Sequence, residues 1–319
     1  MRYKPRVRAV TIADRRITVA ERPDPAPGRG ELGIRVRAAG LNGADMMQVR
    51  GLYPAPAGAS PDIPGLELAG EVVEVGDGAT RFRPGDRVMA LMAGGAQAQI
   101  ATVHERLAMP MPVGLDWNAA GGFPEAFITA HDALISQCEL RSGERLLVNG
   151  AAGGVGTAAV QIGVATGARV VASVRATELR QAVSSLGAQV IDPVEIAEAG
   201  PFDVIIELVG AVSFPANLRA LATGGRISVI GVGAGARIDL DLGQLMGRRG
   251  RIHGSTLRAR SMEEKAIAIR RVEAEVLPLV EAGRLRVLVQ EVFALEAAAD
   301  AYARFQTGAK LGKIVLSIG

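Results

Sequence analysis

Cysteine is almost absent from this chain: Cys138 is the only one in 319 residues. No intrachain disulfide can form, which is compatible with a reducing compartment such as the cytoplasm. Histidine is nearly as scarce. His104, His131 and His253 stand alone, and none has a ligand-like spacing to another or to Cys138. A tetrahedral zinc site of Cys and His therefore has too few donors, and no Asp-rich loop offers Mg²⁺ a place. Aromatic residues make up 3% of the chain, so alanine, valine and glycine must build much of the core. The charge excess is small, 36 basic against 33 acidic residues, which does not argue for nucleic acid. Two local basic clusters, Arg2/Lys4/Arg6/Arg8 and Arg248/Arg249/Arg251, read as solvated strand edges.

Several catalytic and targeting signatures are missing as well. The opening MRYKPRVRAV lacks the apolar run of a signal peptide. Leu146–Ala168 is uncharged for 23 residues, yet it holds six glycines with Asn149 and Gln161 and divides into strand, turn and helix. It is therefore not a membrane span. There is no GxSxG nucleophile elbow. No Tyr-x-x-x-Lys pair occurs among the three tyrosines Tyr3, Tyr53 and Tyr302. Only Tyr53 lies in a glycine- and proline-rich loop, Arg50–Pro54, of the kind that carries function on a rigid scaffold.

What is present centres on residues 145–175. Arg145–Asn149 has the apolar core of a short buried strand. Gly150, Gly153, Gly154 and Gly156 make a glycine-rich turn, with Val155 inside it. Thr157–Gly167 has helical spacing, and Val170–Ala172 reads as a second strand. This strand–turn–helix–strand unit has the size of a βαβ crossover. A glycine turn opening a helix lets the backbone approach a pyrophosphate, and the helix N-terminus offers free N–H groups and a positive dipole. The spacing departs from strict GxGxxG, so the context carries the dinucleotide reading; a methyltransferase can share this layout.

The second strand indicates which dinucleotide. An NAD site usually places Asp or Glu there to bind the ribose 2′-hydroxyl. Here the strand ends in Ser173, Val174 and Arg175, and the first acid, Glu178, falls in the following helix. A hydroxyl and a guanidinium suit a 2′-phosphate, which points to NADPH.

Texture changes along the chain. Twelve of the sixteen prolines lie at or before Pro124. That region carries short apolar runs, Ile34–Ala38, Gly70–Val75, Asp86–Ala90 and Ala98–Val103, separated by turn signals. It reads as a β-rich domain. Beyond residue 122, strands at Val190–Ile191, Val204–Ile206 and Ile227–Ile230 alternate with helices at Glu178–Leu186 and Phe214–Leu221. Alternation of this kind implies an α/β fold with a doubly wound parallel (Rossmann) sheet. Met262–Ala282 has the pattern of a long helix that Pro278 kinks or ends. A short helix at Glu296–Gln306 and a strand at Lys313–Ser317 close the chain.

Over nearly its full length the chain resembles the medium-chain dehydrogenase/reductase superfamily, in its zinc-free quinone oxidoreductase (zeta-crystallin-like) branch. The segments that carry the resemblance are Ala39–Asp45, Arg50–Pro54, Pro64–Gly70, Arg83–Val88, Pro124–Ala130, Asn149–Gly156, Gly254–Arg258 and Gly312–Leu316. Zinc alcohol dehydrogenases are similar but carry a cysteine near Asn42–Gly43 and a histidine at Leu66. The resemblance implies a GroES-like domain over 1–121, a Rossmann NADPH-binding domain over 122–258 and a return to the first domain over 259–319. It implies that Asn42 and Tyr53 face the nicotinamide and substrate, with Asp45 nearby. It also implies that Thr129 lines the nicotinamide pocket and that Ser255–Arg258, Leu257 included, close over the cofactor. Ser173 and Arg175 would hold the 2′-phosphate. A homodimer formed through the sheet edge near Arg226–Val232 is the family habit, and the expected location, from the single cysteine, is the cytoplasm.

The expected reaction is hydride transfer from NADPH to a quinone or other conjugated carbonyl, with the Tyr53 hydroxyl and Asn42 amide stabilising charge on oxygen. Two other readings stand beside it. One is an enone or enoyl reductase with Tyr53 as proton donor. The other is an NADPH-binding protein without catalysis.

Overall fold

The computed structural model describes residues 6–319, so Arg2, Tyr3 and Lys4 lie outside the described residues. The chain divides into two compact units. One comprises residues up to Glu125 with 258–308 and 313–319; the other comprises 126–257 and 309–312. The stretch Ala309–Gly312, expected in the first unit, thus belongs to the second.

The first unit begins with an antiparallel hairpin, β1 (Arg6–Ala13) and β2 (Arg16–Pro23). Its two turn residues, Asp14 and Arg15, have φ of 50° and 59°, the conformation whose twist matches a two-residue hairpin. Arg6 and Arg8 face solvent on β1 while Val7 between them is buried, as a strand edge requires. Then follow β3 (Glu31–Gly40), α1 (Gly43–Val49), β4 (Glu67–Val75), β5 (Arg87–Leu91), β6 (Ile100–His104), β7 (Ala108–Pro110) and α2 (Trp117–Gly121), and the chain passes into the second unit within α3 (Pro124–His131), after Glu125.

The second unit supplies β8 (Arg145–Asn149), α4 (Gly154–Ala165), β9 (Arg169–Ser173), α5 (Arg180–Ser184), β10 (Gln189–Ile191) and α6 (Ile196–Ala199). It continues with β11 (Phe202–Glu207), α7 (Phe214–Ala220), β12 (Leu221–Val229), α8 (Leu242–Arg248) and β13 (Arg251–Gly254). The chain then returns to the first unit with α9 (Met262–Glu275), α10 (Leu277–Glu281), β14 (Val289–Ala294), α11 (Ala298–Gln306) and β15 (Lys313–Ser317). The long helix expected over Met262–Ala282 is thus two helices broken at Val276. Pro278 sits in the first turn of α10, where its missing N–H costs nothing.

In the second unit six strands pair in the order β10-β9-β8-β11-β12-β13, every pair parallel. The order reverses direction at β8, so the carboxyl ends of β8 and β11 flank the switch point where such sheets bind ligands. Leu146, Leu147 and Val148 of β8 are fully buried, the continuous apolar run that a strand covered on both faces needs. Gly163 lets α4 lie close on this sheet, because a Cβ there would stand 2.6 Å from Leu146 Cδ2. The expected dimer strand, β12, is internal: β11 and β13 flank it, and the edges of this sheet are β10 and β13.

The first unit's main sheet runs β14-β15-β3-β4-β5-β7, with β6 also paired to β3. Its core is made of Leu32, Ile34 and Val36 from β3, Leu68 and Val72 from β4, and Ile314 and Leu316 from β15. Each is 0–1% exposed.

Candidate active site

The glycine turn lies at the carboxyl end of β8. Gly153 caps α4 with no side chain, so the first-turn N–H groups of Gly154, Val155 and Gly156 meet no capping side chain. A Cβ on Gly156 would stand 2.7 Å from Ala151 Cα, so the tight return of the chain from Gly150 onto α4 requires glycine here. Gly312 N–H donates to Ala152 O at 2.7 Å, which docks the segment 309–312 against the turn. Lys310 Nζ consequently lies 3.9 Å from where a Gly153 Cβ would be. This cation beside a pyrophosphate-sized turn was not evident from sequence, because it comes from the far end of the chain.

Ser173 is buried at the end of β9, in register with Asn149, and Arg175 is exposed two residues on. Glu178 lies in a short 3-10 turn, Thr177–Leu179, past the strand. The nearby Arg180 is engaged by Asp192 and by Val174 O. Thr129 is buried, and its Oγ1 has no hydrogen-bond partner among the described residues. A buried hydroxyl left open is costly unless a ligand satisfies it. With the open N–H groups of α4, it makes the second unit fit a nicotinamide dinucleotide.

At the switch point a second polar group appears that the sequence reading missed. Glu207, fully buried at the end of β11, accepts from Asn149 Nδ2 at 2.8 Å, Ser213 Oγ at 2.6 Å and Asn217 Nδ2 at 2.5 Å. Its other oxygen accepts from the N–H groups of Val209 at 2.5 Å and Gly210 at 2.7 Å. The carboxylate thereby fixes the turn that follows β11.

The run Ser255–Arg258 is divided between the units. Ser255 N–H donates to Val229 O at 2.8 Å, and its Oγ accepts from Gln137 Nε2 at 2.8 Å. Leu257 is buried. Arg258 belongs to the first unit, where its guanidinium donates to Ala93 O at 2.8 Å, Tyr53 O at 3.1 Å and Gln48 Oε1 at 2.7 Å. It also stacks 5.1 Å from the centroid of the half-buried Tyr53 ring. Arg258 therefore braces the Tyr53 loop.

Asn42 caps α1, and the side chain of Asp45 reaches back to its N–H at 2.8 Å, a capping box. The Asn42 amide is held on both sides. Its Nδ2 donates to Glu67 Oε1 at 2.9 Å, and its Oδ1 accepts from Lys313 Nζ at 2.7 Å. Lys313 closes the triangle on Glu67 at 2.5 Å and also donates to Leu41 O at 2.9 Å. The Glu125 N–H donates to the other oxygen of Glu67 at 2.9 Å. Asp45 and Glu67 are fully buried, and Lys313 nearly so. Burial pushes the Asp45 carboxyl up to about 6 against the pull of the Asn42 and Gly65 N–H groups. Burial, then the neighbouring Glu67 carboxylate, pushes Glu125 up to about 8.

Asn42, Asp45 and Tyr53, expected at the substrate and nicotinamide, and Arg258, expected to close over the cofactor, all lie in the first unit. Thr129, the glycine turn, Ser173, Arg175, Ser255 and Leu257 lie in the second. Among the described residues no group of three or more His, Cys, Asp or Glu is arranged to hold a metal ion. None of the helices in the described residues is long and apolar enough to cross a membrane.

Residues 28–139 match the family model of the alcohol dehydrogenase GroES-like domain, and residues 166–316 match that of the zinc-binding dehydrogenase. The chain is 31% identical to acryloyl-coenzyme A reductase of Metallosphaera sedula, covering 94% of this chain and 96% of that protein. It is 30% identical to quinone oxidoreductase of Rattus norvegicus, covering 92% and 90%. It also matches much longer polyketide synthases, of whose length it spans 14% or less. Among solved structures, a thermostable alcohol dehydrogenase from Pyrobaculum aerophilum superposes with a TM-score of 0.85 at 28% identity, over 98% of this chain and 100% of that one. A GroES-like first unit, a parallel-sheet second unit with an open glycine turn, and these relatives together place the chain in the medium-chain dehydrogenase/reductase superfamily, whose members are oxidoreductases that bind a nicotinamide cofactor.

Proposed function

We propose that this protein is an NADPH-dependent, metal-independent reductase that delivers hydride to quinones or related conjugated carbonyls. The observation that carries the cofactor choice is the end of β9, where the Ser173 hydroxyl and Arg175 guanidinium stand in place of an acid. The acceptor class is supported by the quinone oxidoreductase and acryloyl-coenzyme A reductase relatives. The lone cysteine, Cys138, is compatible with a reducing, cytoplasmic location.

The cofactor would supply the hydride, held by the glycine turn, Thr129, Ser255 and Leu257. The chain's own residues bind and orient. Lys310 would add positive charge beside the diphosphate. Because the Asn42 amide is held by Glu67 and Lys313, it would shape the site, and the Tyr53 hydroxyl would donate to a developing oxyanion. The acryloyl-coenzyme A reductase relative also favours a second reading, reduction of enones or enoyl thioesters with Tyr53 as the proton donor.

NADPH and NADH oxidation with a quinone and with an enone tests the proposal. The wild type is expected to prefer NADPH. Removing a charge-assisted contact in Arg175→Ala should raise KM for NADPH about tenfold to a hundredfold and leave NADH kinetics unchanged. An unchanged preference refutes the role of Arg175. Tight NADPH binding with no turnover of either acceptor refutes the reductase reading in favour of a non-catalytic binding protein.

A further inference from the structure

Away from the residues considered so far, the first unit carries a recess of about 360 Å³ lined by Arg81, Arg106, Ala266, Ile267, Arg270 and Arg271. Ala266, Ile267, Arg270 and Arg271 share one face of α9, where residues three and four apart are neighbours. Arg81, in the turn after β4, and Arg106, in the turn after β6, complete the lining. Four guanidinium groups thus border an isoleucine that is 60% exposed. Apolar surface with a few fixed polar groups around it is the usual make-up of a small-molecule cleft.

The guanidinium groups are held in place rather than splayed into solvent. Arg81 donates to both oxygens of Glu273 at 2.6 and 2.8 Å and to Ala108 O at 3.1 Å, and it stacks 4.9 Å from the centroid of the Phe82 ring. Arg270 donates to the same Ala108 O at 2.5 Å and pairs with Glu273 at 2.6 Å. Arg106 donates to the two oxygens of Glu263 at 2.5 and 2.6 Å, and Arg271 pairs with Glu275 at 3.2 Å. Glu105, next to Arg106 in the chain, is taken up by the N–H groups of Thr80 and Arg81. Among the described residues none of these glutamates lines the recess. Glu263 occupies one edge of the Arg106 guanidinium and leaves its other N–H groups for an anion. The recess therefore presents oriented donors and planar cationic faces beside an apolar side chain.

We propose that this recess holds the 3′-phosphoadenosine end of a coenzyme A thioester, so that the acceptor is an enoyl-coenzyme A. This rests on the enoyl thioester reading above. Guanidinium N–H groups make charge-assisted hydrogen bonds to phosphate oxygens, and the guanidinium plane stacks on an aromatic ring such as adenine. Ile267 supplies the apolar surface for the ring. The other end of such a molecule is also accommodated within the first unit. α9 starts at Met262, shortly after Arg258, whose guanidinium donates to Tyr53 O at 3.1 Å. Arg270 lies about 12 Å further along the helix at its ordinary rise per residue. The extended pantetheine arm that joins the nucleotide of coenzyme A to its thioester spans a gap of that order. A free quinone carries neither phosphate nor nucleotide and would leave the recess unused.

The test follows NADPH-dependent reduction of crotonyl-coenzyme A and of crotonyl-N-acetylcysteamine, which has the thioester but no nucleotide, in wild type, Ile267→Asp and Ile267→Leu. Coenzyme A is also titrated by calorimetry with NADP⁺ saturating, so that the dinucleotide site does not take it up. Ile267 is exposed, so both variants should keep the fold, which their thermal midpoints check. The wild-type KM for the coenzyme A thioester is expected at least about tenfold below that for the short thioester, which lacks the charge-assisted contacts. Ile267→Asp sets a like charge beside the phosphates; it should erase that advantage and weaken coenzyme A binding at least about tenfold, whereas Ile267→Leu should keep both. Equal KM values in the wild type overturn the proposal, as does an advantage that survives Ile267→Asp. A loss confined to the same acyl group on an acyl carrier protein, with the coenzyme A thioester untouched, gives the recess to an acidic protein and also overturns it. A wild type that binds coenzyme A but reduces neither thioester overturns the enoyl thioester reading, and the substrate assignment with it; thioester turnover indifferent to the nucleotide overturns the recess assignment alone.

Discussion

Lys313 holds the residue-scale chemistry of the first unit together. Its ammonium is 4% exposed, and it bridges Glu67 and Asn42 from 271 positions away in the sequence, counted to Asn42. A buried pair of this kind gives little net stability compared with a well-packed apolar pair, but breaking one side leaves a carboxylate without a counter-charge. Lys313→Met should therefore cost about 3–5 kcal/mol in urea unfolding, more than an average point substitution. A loss below about 1 kcal/mol would show that Glu67 finds another partner. The long separation also explains what the sequence could not reveal. Asn42 and Tyr53 stand out within short glycine- and proline-rich motifs. Glu67, Glu125 and Lys313 are unremarkable in their own motifs and acquire meaning only when β3, β4, α3 and β15 bring them together. Lys310 and Glu207 were invisible for the same reason.

At the scale of elements, the strands and helices with strong local signals were legible. The β8–α4–β9 unit declared itself through apolar runs on either side of a glycine turn, and the rest of the parallel sheet followed from alternation. Elements with weak local patterns were not. The four residues of β13, Arg-Ile-His-Gly, contain one aliphatic side chain, and β14 is only half-buried along its length. Both exist because a neighbouring strand offers hydrogen bonds, which is tertiary information. Within α4 two glycines play separable parts. Gly156 allows the turn to close on the helix, whereas Gly163 allows the helix to approach Leu146 and Val170 on the sheet. Gly163→Ala should cost about 1–3 kcal/mol by overpacking and leave nicotinamide-dinucleotide affinity within twofold, because the neighbour it meets is the end of a flexible leucine. Gly156→Ala meets backbone instead and should weaken that affinity at least about tenfold, equivalent to about 1.4 kcal/mol. Calorimetric titration with paired unfolding curves checks both; equal effects on binding would remove the distinction.

For the whole molecule, the open question is self-association. The sequence reading put a dimer contact near Arg226–Val232, but β12 already has a strand on each side. The nearer of the sheet's two edges is β13, which pairs on its outer side with no strand among the described residues; β10 is the other edge. Such an edge is a template for pairing with another chain unless it is covered or charged. Arg251 begins this strand, yet α8 of the same unit presents Leu242 and Met246 to solvent at 63% and 76% exposure. Large apolar side chains beside an open edge suit a second copy of the chain, related by a twofold axis that continues the six-stranded sheet across the contact. We predict a dimer in solution that the double variant Leu242→Asp, Met246→Asp converts to monomer. Both positions are exposed in the single chain, so the thermal midpoint of the monomer should change little. Light scattering coupled to size-exclusion chromatography reads the mass directly. A wild type of monomer mass at micromolar concentration would sink the edge-pairing idea. A dimer that survives both aspartates would move the contact away from α8.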